Sequence, residues 1–342
     1  MIEQHNGTIR IPRGGGTVDV PSLFVSPYPS DVSPDVEHAR RHTLAWLTRR
    51  GIITDREQAA YVDAMRLDMY AARVAPQLTG AELNLFTDWI VYTTQLDDHV
   101  DTDDPARIEP VIRAMVAILD HDDPGRGARS PDVFVAAFAD LWSGCQHIPQ
   151  PWRAQMADRW AQWLEAYLME AGLRRDRLWP SAARYRETVR WTSAAVAFPL
   201  LSDHLSGLYV PDRLLNSSEV TVMRALVPDH TMAVNDAFSA WREETAGDHL
   251  NSVFVLQHEY GLSRDEALER TGHRAGEVMR HFMHCEDRLP TLCADLDAGE
   301  EEQRLLERMS GYLRHWFAGN LAWHVHDTAR YRRAIEPLGG AR

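Results

Sequence analysis

The stretch Asn235-Asp236-Ala237-Phe238-Ser239-Ala240-Trp241-Arg242-Glu243 organises the reading of this chain. Read as helix, it stacks Asn235, Ser239 and Glu243 on one face at i, i+4 and i+8. Each step of four rises about 6 Å. An amide, a hydroxyl and a carboxylate in that row are hard oxygen donors, suited to Mg²⁺ rather than to zinc. Arg242 sets a permanent cation beside the last donor, and a metal edged by a cation suits an anion such as a polyphosphate. The same nine residues also read as a polar helix face wetted by solvent, so their partners elsewhere must decide.

A second acidic stretch, Asp97-Asp98-His99-Val100-Asp101, follows Phe86 and Ile90 at helical spacing. The face Phe86, Ile90, Thr93/Thr94, Asp97, Asp101 passes from apolar to acidic without changing side, whereas a solvated acidic patch lies opposite the apolar stripe. Two carboxylates one turn apart repel, and a divalent cation removes that repulsion. Acid at a helix C-terminus also opposes the macrodipole. Asp97 and Asp101 are therefore candidate metal ligands, Asp98 points aside and is the weaker one, and Asp103 and Asp104 are expected in solvent. No apolar stripe leads into Asp120-His121-Asp122-Asp123, which Pro124-Gly125 ends at once, so that run is expected to be an exposed turn.

The 342 residues are 44% hydrophobic and 25% charged, the balance of a soluble globular protein. Residues 1–33 carry Pro12, Gly14 to Gly16, Pro21, Pro27 and Pro29, which break any period and imply a loose or extended arm. From Pro34 to Pro337 a 3.6-residue periodicity prevails, with short breaks at Gly80, Pro124-Gly125, Pro149 to Pro151, Pro211 and Gly261. No alternating strand pattern, internal repeat or linker interrupts it, which predicts one all-α domain over residues 34–337. No apolar run is long enough for a membrane span, and Met1-Ile2-Glu3-Gln4 lacks the order of a signal peptide. Three scattered cysteines, Cys145, Cys285 and Cys293, form no disulfide framework, and a reducing cytoplasmic location is expected. Cys285 and Cys293 with His281 and His284 make a poor zinc site, because the spacing is irregular. The formal charge of −14 argues against broad nucleic-acid binding. It leaves room for a small polyanion held by metal and local arginines.

Taken together, the two acidic stretches resemble the aspartate-rich and Asn-Asp…Ser…Glu motifs of the bacterial class I terpene synthases (terpene cyclases). Pro27-Tyr28-Pro29…Ser33-Pro34-Asp35 through Trp46 resembles that family's N-terminal segment, and Trp323…Thr328…Arg330-Tyr331 its C-terminal Arg-Tyr signature. Tyr185 to Ala194 resembles the family's diphosphate-sensing element. The resemblance implies Arg190 as sensor (Arg186 is the alternative), Ser193 as linker and Ala194 as the residue whose carbonyl faces the reacting carbon. Ala194 departs from the glycine frequent there. Pro199 supports a broken helix nearby.

The resemblance implies a helical bundle around an apolar cavity, in which a linear prenyl diphosphate is ionised and the carbocation cyclised, with diphosphate released. Three Mg²⁺ ions are implied, though the sequence itself shows two clusters: Asp97 with Asp101, and Asn235/Ser239/Glu243. Arg190, Arg242, Arg330 and Tyr331 would hold the diphosphate. Trp316, Asn320, Trp323 and Asp327 form a stripe running into Arg330-Tyr331. Trp323 is the leading cavity-lining residue, with Phe86 and Phe238 behind it, and Trp316 is expected in the core. Farnesyl diphosphate (C15) is the favoured substrate and geranylgeranyl diphosphate the alternative. A chain-elongating synthase is disfavoured, since it would need a second aspartate-rich motif where Asn235…Ser239…Glu243 stands. A non-catalytic helical scaffold would require all these motifs to be accidental. A homodimer is compatible with the resemblance, but no stretch of sequence declares one.

Overall fold

The computed structural model describes residues 19–100 and 104–331. Asp101 and Asp103, and the sequence beyond Tyr331, lie outside the described residues. Every regular element among those described is helical. In chain order they are α1 (Val36–Arg49), α2 (Arg56–Ala64), α3 (Leu67–Val74), α4 (Gly80–Val100), α5 (Pro105–Asp120), α6 (Val133–Gly144), α7 (Trp152–Arg175), α8 (Ala182–Thr192), α9 (Phe198–Leu205), α10 (Asp212–Leu215), α11 (Ser218–Ala246), α12 (Ser252–Tyr260), α13 (Arg264–Asp287), α14 (Leu289–Asp295) and α15 (Glu300–Ala322). No helix among the described residues is long and apolar enough to cross a membrane.

The expected breaks fall between helices, each for a local reason. Gly261 takes φ +67 at the end of α12, a left-handed conformation that costs glycine little. Ser263 and Glu266 then form a reciprocal capping box that starts α13. The longest helices, α4, α7, α11, α13 and α15, bury their apolar faces toward one another. Trp89 of α4 stacks on Trp160 of α7 at 4.4 Å, and Phe198 of α9 meets Trp160 edge-on at 5.2 Å. Phe198 and Phe86 in turn lie against Trp316 of α15. This relay of rings accounts for several of the eleven tryptophans and forms the floor on which the site is built.

Helix α15 crosses α3 closely because residue 319 is glycine. A Cβ there would stand 2.5 Å from the carbonyl oxygen of Arg73. The close crossing brings Trp323 onto α3, where its Nε1 donates to the carbonyls of Met65 (3.1 Å) and Arg66 (2.8 Å).

Two expectations change. The described part of the arm opens with a short 3-10 helix over Val20–Leu23 and is tied down: Val20 and Phe24 are buried, Phe24 meets Phe238, and Ser33 Oγ donates to the Leu78 carbonyl at 2.7 Å. The Asp120–Asp123 run is not merely a wetted turn. Asp122, at φ +48, turns its carboxylate inward to accept from Trp142 Nε1 (3.0 Å), Gln146 Nε2 (3.1 Å), Gln150 Nε2 (3.0 Å) and the Arg153 guanidinium (2.6 Å). Partial burial pushes its carboxyl up, but the bonds from Arg153 and Gln146 outweigh that and hold it below the usual carboxylate range.

Candidate active site

A cavity of about 270 Å³ opens at one end of the bundle, walled by α3, α4, α7, α8, α9, α11 and α15. Its deeper wall includes Tyr70, Ile90, Phe198, Trp316 and Trp323. Its mouth carries Asp97, Asp98, Asn235, Arg242, Glu243, Arg330 and Tyr331. The two acidic stretches, 138 residues apart from Asp97 to Asn235, thus meet at one opening.

On α11 the oxygen row forms as the spacing requires, but each member has a different exposure. Asn235 and Glu243 line the cavity, whereas Ser239 is buried behind them. Their shape is fixed by a residue the sequence reading missed. Asn251, fully buried just before α12, donates its amide to Glu243 Oε2 at 2.7 Å and to the Asp236 carbonyl at 2.8 Å. Its Oδ1 caps α12 by accepting from Val253 N at 2.8 Å. Asp236 points away from the row, accepting from the Tyr185 hydroxyl (3.2 Å) and Ser252 N (3.1 Å). Burial pushes the Asp236 carboxyl up to about 6. Burial, and then the neighbouring Asp236, push Glu243 up to about 8. An acid so raised is unfavourable as an anion, and a divalent cation against it would relieve that cost.

The orientation of Asn235 follows from a second missed residue. After α15 the chain makes a π-helical turn over Trp323–Asp327, a wider winding that alters the i, i+4 register. Its effect is to bring His324 onto the cavity wall beside Trp323. Asp327, expected on that face, pairs instead with Arg73. His324 Nδ1 lies 2.9 Å from the Asn320 carbonyl, which can only accept, so Nδ1 carries the proton and Nε2 presents a lone pair. Burial lowers the imidazole to about 4, keeping it neutral. Asn235 Nδ2 lies 2.9 Å from the Tyr331 hydroxyl and 3.5 Å from His324 Nε2. The amide nitrogen is thereby committed to the wall, leaving Oδ1 as the group available to a metal.

Across the mouth, Asp97 hydrogen-bonds Tyr167 of α7. Asp98, expected to point aside, accepts from Arg330 Nη2 at 2.9 Å and from Arg242 Nη2 at 3.3 Å. It therefore bridges two of the expected diphosphate donors. Arg174 adds a further cation to the lining, paired with Asp248 at 3.0 Å.

The sensor element is placed differently from the expectation. Arg190 does not line the cavity; its Nη2 donates to Asp229 Oδ2 of α11 at 2.6 Å. Ser193 and Ala194 do line it, at the break between α8 and α9. Ala194 adopts φ +55, and its carbonyl accepts from Ala197 N (2.9 Å) and Phe198 N (3.2 Å). That carbonyl starts the turn into α9, because the left-handed residue redirects the chain there, and it is not left facing the cavity. Pro199 sits in the first turn of α9 rather than at the break itself. Trp323 lines the cavity, and Trp316, buried in the core as expected, contributes to the lining as well. Phe86 and Phe238 stand behind the lining, packed on Trp316 and His324.

The donors on offer are an amide oxygen, a hydroxyl and carboxylates. Among the described residues no three His, Cys, Asp or Glu cluster for a metal. A hard cation is what an oxygen set with one carboxylate per helix face fits.

Comparison with known proteins agrees. Residues 88–281 match the family of terpene synthase family 2, C-terminal metal binding. The chain is 30% identical over 323 residues to pristinol synthase of Streptomyces pristinaespiralis, covering 92% of this chain and 86% of that protein. The chain belongs to the bacterial class I terpene synthases. It is also 28% identical over 295 residues to a (−)-β-caryophyllene synthase of Saccharothrix espanaensis, named as cyclising (2E,6E)-farnesyl diphosphate, with 86% and 83% of the chains covered. The solved linalool/nerolidol synthase of Streptomyces clavuligerus shares the fold, with TM-score 0.80 at 24% identity over 88% of this chain and 99% of that one. For this terpene synthase the family implies a divalent metal and a prenyl diphosphate substrate.

Proposed function

We propose that this synthase ionises farnesyl diphosphate in a Mg²⁺-dependent step and cyclises the resulting carbocation. The observation that carries this reading is the joint geometry of the mouth. Asn235 and Glu243 on one side and Asp97 and Asp98 on the other rim a cavity whose deeper wall is largely apolar and aromatic. Asp97, Asn235, Ser239 and Glu243 are the groups that would hold metal, with Asp101 a further candidate from the sequence. Bound Mg²⁺ would supply Lewis-acid stabilisation of the leaving diphosphate.

The rest falls to the chain. Arg242 and Arg330 offer charge-assisted donors that strengthen in a site withdrawn from water, and the Tyr331 hydroxyl offers a neutral one. Arg190 joins them only by exchanging Asp229 for diphosphate, with Ser193 and Ala194 as the hinge between its helix and the cavity. Trp323 and Trp316 belong to the cavity lining, and a cation over either ring face would gain about 0.5–2 kcal/mol when desolvated. The C15 chain is favoured by the farnesyl diphosphate named for the caryophyllene-forming relative.

The test is to incubate purified protein with the C10, C15 and C20 prenyl diphosphates, with and without Mg²⁺, measuring diphosphate release and extracting products for gas chromatography. Release from farnesyl diphosphate that requires Mg²⁺, lost in Asn235→Leu with helical circular dichroism intact, is expected. No turnover of any of the three with Mg²⁺ present would overturn the proposal.

A further inference from the structure

The wall between α11 and α15 carries polar groups that ionisation does not use. Thr231, Trp316 and Asn320 line the cavity. Among the described residues, Thr231 Oγ1, Trp316 Nε1 and both amide atoms of Asn320 are buried without a hydrogen-bond partner. Asn320 is 0% exposed. Buried amides are nearly always bonded, and an amide offers two donors and an accepting oxygen.

The two helices run alongside one another in the same sense. The rings of His230 and Phe317 meet at 4.9 Å, Asn235 Nδ2 lies 3.5 Å from His324, and Trp241 Nε1 donates to the Tyr331 carbonyl at 2.9 Å. Thr231 precedes Asn235 by four residues and Asn320 precedes His324 by four. Both therefore lie one helical turn, about 6 Å, deeper than the mouth. Trp316 lies one turn deeper still. The same lining includes the apolar side chains of Ile90, Phe198 and Trp323. A hydroxyl and an amide placed together in such a wall supply the two to four polar partners that hold a buried water.

We propose that Asn320 and Thr231, with Trp316, hold a water molecule inside the cavity, and that this water ends the cation cascade, so that the product is a terpene alcohol. The inference rests on the reading that a prenyl diphosphate ionises here. The water oxygen donates a lone pair to the cationic carbon and a C–O bond forms. An O–H bond of the resulting oxonium breaks, and its proton passes to the diphosphate, the base that ionisation creates. One water is consumed for each diphosphate released, with no oxidant or reductant. Asn320 suits the task because a neutral amide fixes a water lone pair without itself being a strong nucleophile toward the cation.

The experiment supplies farnesyl diphosphate and Mg²⁺ in oxygen-18-labelled water, scores diphosphate release, and measures the alcohol-to-hydrocarbon ratio by gas chromatography with mass detection. Wild type is expected to give mainly an alcohol carrying one solvent oxygen. Asn320→Leu and Thr231→Val should each lower the ratio about tenfold, equivalent to about 1.4 kcal/mol. Because the ratio is taken within one extract, it does not depend on how much enzyme is active. Thr231→Val, which removes only a hydroxyl, carries the test if Asn320→Leu does not fold. A wild-type product that is hydrocarbon alone, or a ratio unchanged in every folded variant, overturns the inference while diphosphate release leaves the proposed function standing. Absence of release from wild type would overturn that function and this inference with it.

Discussion

Replacing Asn251 by alanine tests the organisation of the metal-facing row most sharply, because that side chain touches three structures at once. Its amide bond to Glu243 Oε2 at 2.7 Å is worth about 1–3 kcal/mol, the upper end if the carboxyl is ionised. The bond to the Asp236 carbonyl at 2.8 Å adds about 1 kcal/mol. Loss of the cap on Val253 N costs about another 1 kcal/mol. The expected destabilisation is about 3–5 kcal/mol. At roughly 2.1 cal/mol/K of unfolding entropy per residue, 342 residues carry about 0.7 kcal/mol/K, so the melting temperature should fall by about 4–7 °C. Differential scanning fluorimetry reads this directly. The same assay repeated with Mg²⁺ and inorganic diphosphate should show a smaller ligand-induced rise than wild type, since Glu243 loses the donor that aligns it. Asn251→Asp should be worse than alanine, because it sets a second carboxyl against Glu243. A melting point within a degree of wild type for both variants would refute the reasoning.

Asp122→Asn should lower stability by about 2–4 kcal/mol, since it breaks an ion pair with Arg153 and inverts an acceptor facing two glutamine amides. The Asp122 carboxyl sits below its usual range when folded. Its contribution is therefore complete above the unfolded value of about 4 and is lost as pH falls through the lower folded value, a loss that acid titration of the melting point should show in wild type and not in the variant. Gly319→Ala should destabilise by about 1–2 kcal/mol despite the better helix propensity of alanine, because its Cβ meets backbone atoms of Arg73 and Val74. A raised melting point would show that α3 can move aside. Arg330→Lys should weaken diphosphate binding at least tenfold by calorimetry, since an ammonium cannot reproduce the fork that now spans both oxygens of Asp98; unchanged affinity would remove Arg330 from the diphosphate set.

The helical architecture was legible because a 3.6-residue period with glycine, proline and capping signals is a local property of the sequence. So was the row Asn235, Ser239, Glu243, which lies within one continuous helix. Asn251 was not, because it reaches the row from a separate segment after α11 ends. Its place before Ser252 signals a helix cap, and nothing in that signal points to Glu243. Nor was His324, because regular α-helical spacing puts it off the face of Trp323, and the π turn that brings it in has no sequence signature strong enough to read. Asp122 sat in what looked like a solvated run, and its left-handed backbone was the hidden fact. The side on which Arg190 spends its charge depends on Asp229, a partner 39 residues away and on another helix.

Asp98 now gives the mouth a property that none of its members has alone. One carboxylate pairs with Arg242 and Arg330 together, so the positive charge of the resting opening is partly offset and its pull on passing anions is weakened. A divalent ion that draws Asp98 to itself unmasks both guanidinium groups in one movement. Metal and diphosphate must then bind with positive coupling, each raising the other's affinity by the same factor. In a solution of competing phosphates, the synthase would respond to the pair and largely ignore either alone.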